Sequence, residues 1–328
     1  MSKRFLLPES GTFYKANLHC HSTMSDGRLT PAEIKEQYSA HGYSAVAFTD
    51  HEYLTSHPEL RSPDFLPLKG YEISVSECGH PDFNHVPTYH LNLFALDPEN
   101  ETHVCFHPGN CWGVPKEIIP TLKYAGSGEY YRRYSVEGVN EIIKEAHEHG
   151  FLVSYNHPAW SLQKYDDYAG LKGLDFIEIY NHGCVVTGNS EYEGQAMDDL
   201  LRNGNRLYCV CTDDNHNHDN DSFGGWVMIK APALEYGEIM NALKAGNFYA
   251  STGAEITAFY AEGNTVTVEC PPSKAVRFIT GCRHAALITG DKPVTSASFT
   301  ANPGDMYVRA EVISTDGKKA FTQPYYID

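Results

Sequence analysis

The sequence predicts an α/β protein carrying a small antiparallel β tail. Three observations point there. Strand-like and helix-like segments alternate up to about residue 250. The strand candidates are continuous apolar runs, as in parallel sheets covered on both faces. From about 255 onward helical periodicity is lost and short strands separated by Gly-Asn and Asp-Gly turns take over. The division expected from this shift is 1–253 for an α/β barrel or sheet and 254–328 for a β-sandwich-like domain.

The elements follow in order. "NLHCH" (17–21) closes an apolar approach and reads as a strand end. Alternate residues of a strand share a face, so His19 and His21 point one way and Cys20 points into the core. "TPAEIKEQYSAHG" (30–42) is a helix with its own signals. Thr30 can cap, Pro31 suits the first turn, Glu33 completes a capping box and Gly42 stops it. "AVAFTDH" (45–51), "LKGYEIS" (68–74) and "YHLNLFAL" (89–96) read as buried strands. The stretch 97–135 is aperiodic and rich in Pro, Gly, Tyr and His, too long for a plain connection; it is either a substrate-shaping loop or surface decoration. "VEGVNEIIKEAHEHG" (136–150) and "LEYGEIMNALKAG" (234–246) are helices. "FLVSYNHP", "LDFIEIYN" and "RLYCVCTDD" are strands that close in polar residues, which places a site at the C-terminal edge of a parallel sheet.

Composition narrows the function. The 328 residues carry a net charge of -17, a field that repels nucleic acid. Nine cysteines without a repeated spacing argue for buried thiols rather than a disulfide framework. The N-terminal apolar stretch is too short for a signal peptide and no run is long enough to span a membrane. A cytoplasmic enzyme acting on a small molecule is expected, with no nucleic-acid or membrane partner.

Ligand-type residues collect at the strand ends. They are His19, His21, Asp26, His51, Glu72, His90, His157 and the late run Asp213, Asp214 and His216, with Glu178 and Asn181 beside them. Histidine and carboxylate without thiolate suits Mn, Zn or Fe. The set is too large for one ion, and Glu72 is the natural bridge between two. His80, His85, His103, His107, His147, His149 and His218 are expected in loops or on the surface. His182 either lines the pocket or is solvated. Glu178 could be a core carboxylate satisfied by a neighbour.

"HCHSTMSDG", "TDH", "GYEI", "YH", "NHP" and "TDDNH" together resemble, in order, the motifs of the PHP (polymerase and histidinol phosphatase) domain. The run "GGWVMIKAP…IMNALKAGNFYASTGAEI" with the β tail resembles a subgroup described as carbaryl-hydrolase-like metallohydrolases. The resemblance implies a distorted seven-stranded β/α barrel and a trinuclear metal centre. By it, His19, His21, Glu72 and the late aspartate hold one ion, Glu72, His90 and His157 a second, and Asp26, His51 and His216 a third. The family's late motif is Ser-Asp-x-His, whereas this chain reads Thr212-Asp213-Asp214-Asn215-His216. Matching Asp-x-His selects Asp214; matching Thr-Asp selects Asp213. The two-residue offset to His216 favours Asp214.

The function expected first is hydrolysis of a small phosphate ester by a metal-bound hydroxide, with Glu72, Asp214 and His216 in catalytic roles. Arg28, Arg132, Arg133 and Asn181 are the substrate-binding candidates. A carboxylic ester, amide or carbamate hydrolase with the same centre is the alternative. A non-catalytic, metal-stabilised binding protein is the third reading.

Overall fold

The structure is a computed structural model and describes residues 3–77, 83–190, 192–218 and 220–327. Seven strands carry the site: β1 (Thr12–Asn17), β2 (Ala45–Phe48), β3 (Leu66–Ser76), β4 (Thr88–Ala95), β5 (Phe151–Tyr155), β6 (Phe176–Asn181) and β7 (Tyr208–Thr212). They are hydrogen-bonded in that order. β1, β2 and β3 run parallel, as do β5, β6 and β7. Only β4 runs against both of its neighbours. The sheet is therefore mixed rather than parallel throughout. That reversal explains why His90 lies near the start of its strand while His19, His51, His157 and Asp214 follow theirs: all reach one edge.

The expected barrel closure is not formed by strand pairing, because β7 pairs with β6 alone. The sheet instead continues from β1 into β8 (Trp226–Ala231) and β9 (Phe248–Ser251). Beyond the strand ends, however, the chain ends of β1 and β7 are stitched together. Cys20 and Asn215 form an isolated parallel bridge, His21 N donates to Asn215 O at 3.0 Å and Asp214 N donates to His19 O at 2.9 Å. The stitch lies at the site itself.

Helices cover the outside. α1 (Pro31–Ala40) begins with the full capping box of Thr30 and Glu33 and a proline in its first turn. α2 (Val136–Glu148) is capped by Ser135 and buries Val139, Ile142, Ile143 and Ala146, one stripe of a 3.6-residue period. α3 (Gly194–Arg202) is a helix not expected from the sequence. α4 (Tyr236–Ala245) ends at Gly246, whose φ of 73° is the left-handed C-cap.

The tail is all β among its described residues. One layer is a separate four-stranded sheet: Arg4–Phe5, Ala258–Glu262, Thr265–Ser273 and Val294–Thr300. The other layer extends the main sheet through Lys319–Phe321, Tyr307–Ile313, Ala275–Thr280 and Ala286–Ile288. A core that includes Val266, Val268, Phe278, Val308 and Val312 belongs to it. The expected boundary at 253/254 is thus crossed twice. The N-terminal strand joins the tail sheet, and β9 pairs with Lys319–Phe321. A buried ion pair adds to the join. Arg309 donates to both Asp198 oxygens, at 2.9 and 2.8 Å, and Asp198 sits on α3.

Candidate metal centre

Regular pairing of β1 stops at Asn17, and the next residues turn into the site. Asn17 Oδ1 accepts from His19 N at 3.2 Å and from Asp213 N at 3.0 Å, fixing both approaches. His19 and His21 are fully buried with their Nε2 atoms 3.1 Å apart. Cys20 is buried in a separate apolar cluster with Ile34, Tyr38 and Phe48, as its alternation predicts. The loop after His21 is held by Asp50, which accepts from Ser22 N at 2.7 Å and from Ser25 Oγ at 2.9 Å. Gly27 closes it: a Cβ there would meet His21 O at 2.4 Å, so no larger residue fits.

Glu72 is the hub. Its Oε1 faces His19 Nε2 at 3.4 Å, His90 Nδ1 at 3.1 Å and His157 Nε2 at 3.6 Å. Its Oε2 faces His21 Nε2 at 3.4 Å and His51 Nδ1 at 3.1 Å. It is not at a strand end, since β3 runs on to Ser76 because antiparallel β4 continues to pair with it. Asn156 Nδ2 donates to Glu72 at 2.8 Å and holds it. Asp214 Oδ1 lies 3.2 Å from both His19 Nε2 and His21 Nε2. Asp26 Oδ1 is 3.4 Å from His216 Nε2 and 3.9 Å from His51 Nε2.

The late aspartates separate cleanly. Asp213 points away and accepts from Phe223 N, Gly224 N and Gly225 N and from Tyr38 OH, each at 2.8–2.9 Å. Asp214 faces the histidines. Its φ of 52° and that of His157, 26°, are left-handed values uncommon outside glycine, which Asp and His adopt more readily than most residues.

Outer partners aim the rings. Glu178 is fully buried and accepts from His19 Nδ1 at 2.6 Å, Thr212 Oγ1 at 2.7 Å, His157 N at 3.0 Å and Asn181 Nδ2 at 2.9 Å. It leaves His19 Nε2 turned to the centre. His157 Nδ1 lies 3.1 Å from Ser161 Oγ and His216 Nδ1 lies 3.0 Å from Asp214 O, which turns both Nε2 atoms inward. Such partners set tautomer and orientation in metal sites.

Charges here are mutually dependent. Burial works against every charge, yet the histidines hold the Glu72 and Asp214 carboxyls well below the ordinary range. Burial likewise opposes protonation of His19 and His216. The carboxylates around them win, raising His19 well above its ordinary value and His216 to about 9. His51 moves the other way, lowered by burial and by the neighbouring His21.

The donors fit divalent cations. Four groups have ligand atoms lying within 4.8 Å of one another: His21, Asp26, His51 and His216; His19, His21 and Glu72; His19, His157 and Asp214; Glu72, His90 and His157. His21 Nδ1 and His51 Nδ1 are buried without a hydrogen-bond partner. The His51 atom is 3.1 Å from Glu72 but not in hydrogen-bonding geometry. Buried imidazole nitrogens facing carboxylates and left unpaired are what a cation would satisfy.

Above the ligands opens a cavity of about 790 Å³ lined by Asp26, His51, Glu72, His90, His157, Asp214 and His216. The 97–135 segment supplies much of its wall, with His107, Trp112, Tyr130, Tyr131 and Arg132. The segment is therefore a cavity wall and not surface decoration alone. His103, expected at the surface, is buried, with Nε2 accepting from Leu54 N at 3.0 Å. His107 lines the cavity instead of the outer surface. His85 and His218 are exposed, His147 pairs with Asp175, and His149 bonds within its own helix end. His182 is partly buried, its Nδ1 2.9 Å from Tyr180 OH. His80 lies outside the described residues.

The arginine candidates come apart. Arg132 is buried and donates to both Glu52 oxygens, to Ser74 O and to Cys105 O. Arg133 is exposed on Glu141 and lies off the cavity wall. Arg28 is also exposed and off the wall, its backbone N bonding His216 O. Asn181 holds Glu178 and Asp214 rather than lining the cavity. Arg132 therefore ties the 97–135 segment to the residue after His51. Arg132→Ala should lower stability by about 3–5 kcal/mol by leaving Glu52 buried and uncompensated, while Arg133→Ala should unfold close to wild type; thermal melts of the two decide. Equal melts would remove the tether.

Residues 17–169 match the family model of the PHP domain. The matched span is just under half of the chain. No curated protein matches the sequence. Among solved structures, a two-domain protein containing a predicted PHP-like metal-dependent phosphoesterase from Bacteroides vulgatus is 15% identical at a TM-score of 0.46, covering 100% of this chain and 98% of that one. A candidate metal-dependent phosphoesterase from Bifidobacterium adolescentis is 17% identical at 0.37, covering 64% and 89%. An amidohydrolase from Chromobacterium violaceum, with bound sulfate and no metal, is 19% identical at 0.36, covering 61% and 87%. Likeness at these scores assigns neither fold detail nor chemistry.

Proposed function

We propose that the protein is a metal-dependent hydrolase, a phosphoesterase acting on a small phosphate ester with three divalent cations, Mn, Zn or Fe. The observation that carries this is Glu72, one carboxylate faced by five histidines at the floor of an open cavity. His19, His21, Glu72 and Asp214 would hold one cation, Glu72, His90 and His157 another, and Asp26, His51 and His216 the third. When bound, such ions acidify a water and neutralise the oxygens of an in-line displacement at phosphorus. The chain's own residues do the rest. Glu178, Asn156 and Ser161 orient the rings and Glu72. Asp214, which both faces the histidines and lines the cavity, is placed to accept the proton that attacking water sheds. His216, 26% exposed at the cavity wall, reaches the substrate side.

A second reading, hydrolysis of a carboxylic ester, amide or carbamate, is favoured by one observation. Arg132, the only Lys or Arg among the described residues lining the cavity, is committed to Glu52. A phosphate subsite ordinarily has a free cation. The eight described cysteines are all free, which suits a reducing compartment; no described helix is long and apolar enough to cross a membrane.

The test is a panel of aryl phosphates and aryl esters assayed on protein stripped by chelator and reloaded with Mn, Zn or Fe. Metal-dependent turnover of phosphates is expected. Turnover of carboxylic esters alone establishes the second reading, and no turnover with any metal leaves a binding protein.

A further inference from the structure

The cavity is built for more than a phosphoryl group. Its volume, about 790 Å³, falls in the span of roughly 300–1,000 Å³ in which whole small organic molecules are enclosed. Two tryptophans stand on different ligand histidines. Trp112 lies with its ring centroid 4.2 Å from that of His51. Trp160 meets His157 edge-on at 5.0 Å and His90 at 5.6 Å. His51 and His90 are themselves 5.8 Å apart, so the two indoles pack on neighbouring histidines, and both line the one cavity.

Trp112 is 46% exposed and Tyr131 74% exposed, a large apolar surface at the cavity mouth. Exposed aromatic surface beside a polar floor marks a binding site for a group that is itself flat and apolar. Charge points the same way. Four of the five guanidinium N–H groups of Arg132 are engaged, by Glu52, Ser74 and Cys105. The other charged wall residues include Asp26, Glu72 and Asp214. A substrate bearing extra anionic groups away from the reacting centre would find among the described residues no Lys or Arg there except Arg132, which is committed to Glu52.

We propose that this cavity selects substrates with a flat, uncharged aromatic group next to the scissile bond, gripped by Trp112 and Trp160, over small or multiply anionic ones. The proposal rests on the hydrolase reading and names the substrate class of that site.

Binding separates the two. Calorimetry on metal-loaded protein would compare benzylphosphonate with methylphosphonate, and phenylacetate with acetate. The ring should tighten binding on the order of tenfold, the worth of one stacked aromatic. Trp112→Ala and Trp160→Ala should each shrink the ring-to-methyl ratio, and Trp112→Phe should keep most of it; metal content of each variant is checked because both indoles pack on histidines of the centre. A ratio near one in the parent protein, or a ratio unmoved in both alanine variants, overturns the proposal, as does failure of both aromatic probes to bind. A ring preference seen only with phenylacetate, or with no phosphate ester turned over, overturns the phosphoesterase reading and leaves the aromatic subsite standing.

Discussion

Glu72→Gln should empty the centre more completely than removal of any one histidine and abolish hydrolysis. The carboxylate belongs to two of the four ligand groups and touches five imidazoles within 3.1–3.6 Å. Glutamine keeps the shape but gives up the charge and replaces one acceptor oxygen by an amide donor. That donor would be aimed at imidazole nitrogens or at the cations themselves. His19, His21 and His157 also belong to two groups each, but a histidine supplies a neutral nitrogen and no charge to offset two cations. Loss of an outer partner typically costs about 10–100-fold in metal affinity; loss of a shared inner carboxylate should exceed that. Elemental analysis of Glu72→Gln beside His90→Ala, His51→Ala and His157→Ala measures it. A Glu72→Gln protein with the parent's metal content and turnover would remove the bridge.

Much of this centre is legible in the sequence because most of its candidate ligands lie in or just after strands, and strands can be read from apolar runs. His19 and His21 share a face by alternation, and the Asp-x-His offset of the motif that the chain resembles points to Asp214, the aspartate that faces the histidines. What the sequence hides is long-range. Glu178 reads as an ordinary strand carboxylate, yet it orients His19 and His157 from 159 and 21 residues away. Asp50, next to His51, pins the loop of His21 through Ser22, which nothing local announces. Arg132 and Arg133 are indistinguishable as neighbours in the chain. Only the fold buries one on Glu52 and leaves the other exposed on Glu141.

The topology shows the same limit. Apolar runs identify β4 but not its direction, so a mixed sheet reads as a parallel one. The tail reads as separate because its periodicity changes, although the sheet passes into it through β9 and the N-terminal strand pairs with it. α3 escapes because it is short and lacks a side-chain cap at Glu193, even though Ala196, Met197, Leu200 and Leu201 mark its buried stripe.

The adjacent aspartates should fail in different ways when each is changed to asparagine. Asp214→Asn should fold like the parent protein and lose metal. Asn tolerates the left-handed φ of 52°, and the amide oxygen can still accept from Asn181 Nδ2, now at 3.1 Å. What disappears is the negative charge 3.2 Å from His19 and His21. Asp213→Asn should lose stability first. Burial pushes its carboxyl up to about 6, against the pull of three backbone N–H groups and the Tyr38 hydroxyl. One amide oxygen cannot accept from all four, and the new N–H₂ faces donors, at about 1–3 kcal/mol for each donor left unmet. Those donors hold the 223–225 turn that leads into β8, so the damage is to folding and not to a ligand. Metal content and melting temperature, measured on both variants, give the answer. Selective metal loss in Asp213→Asn with Asp214→Asn still loaded would reverse the assignment.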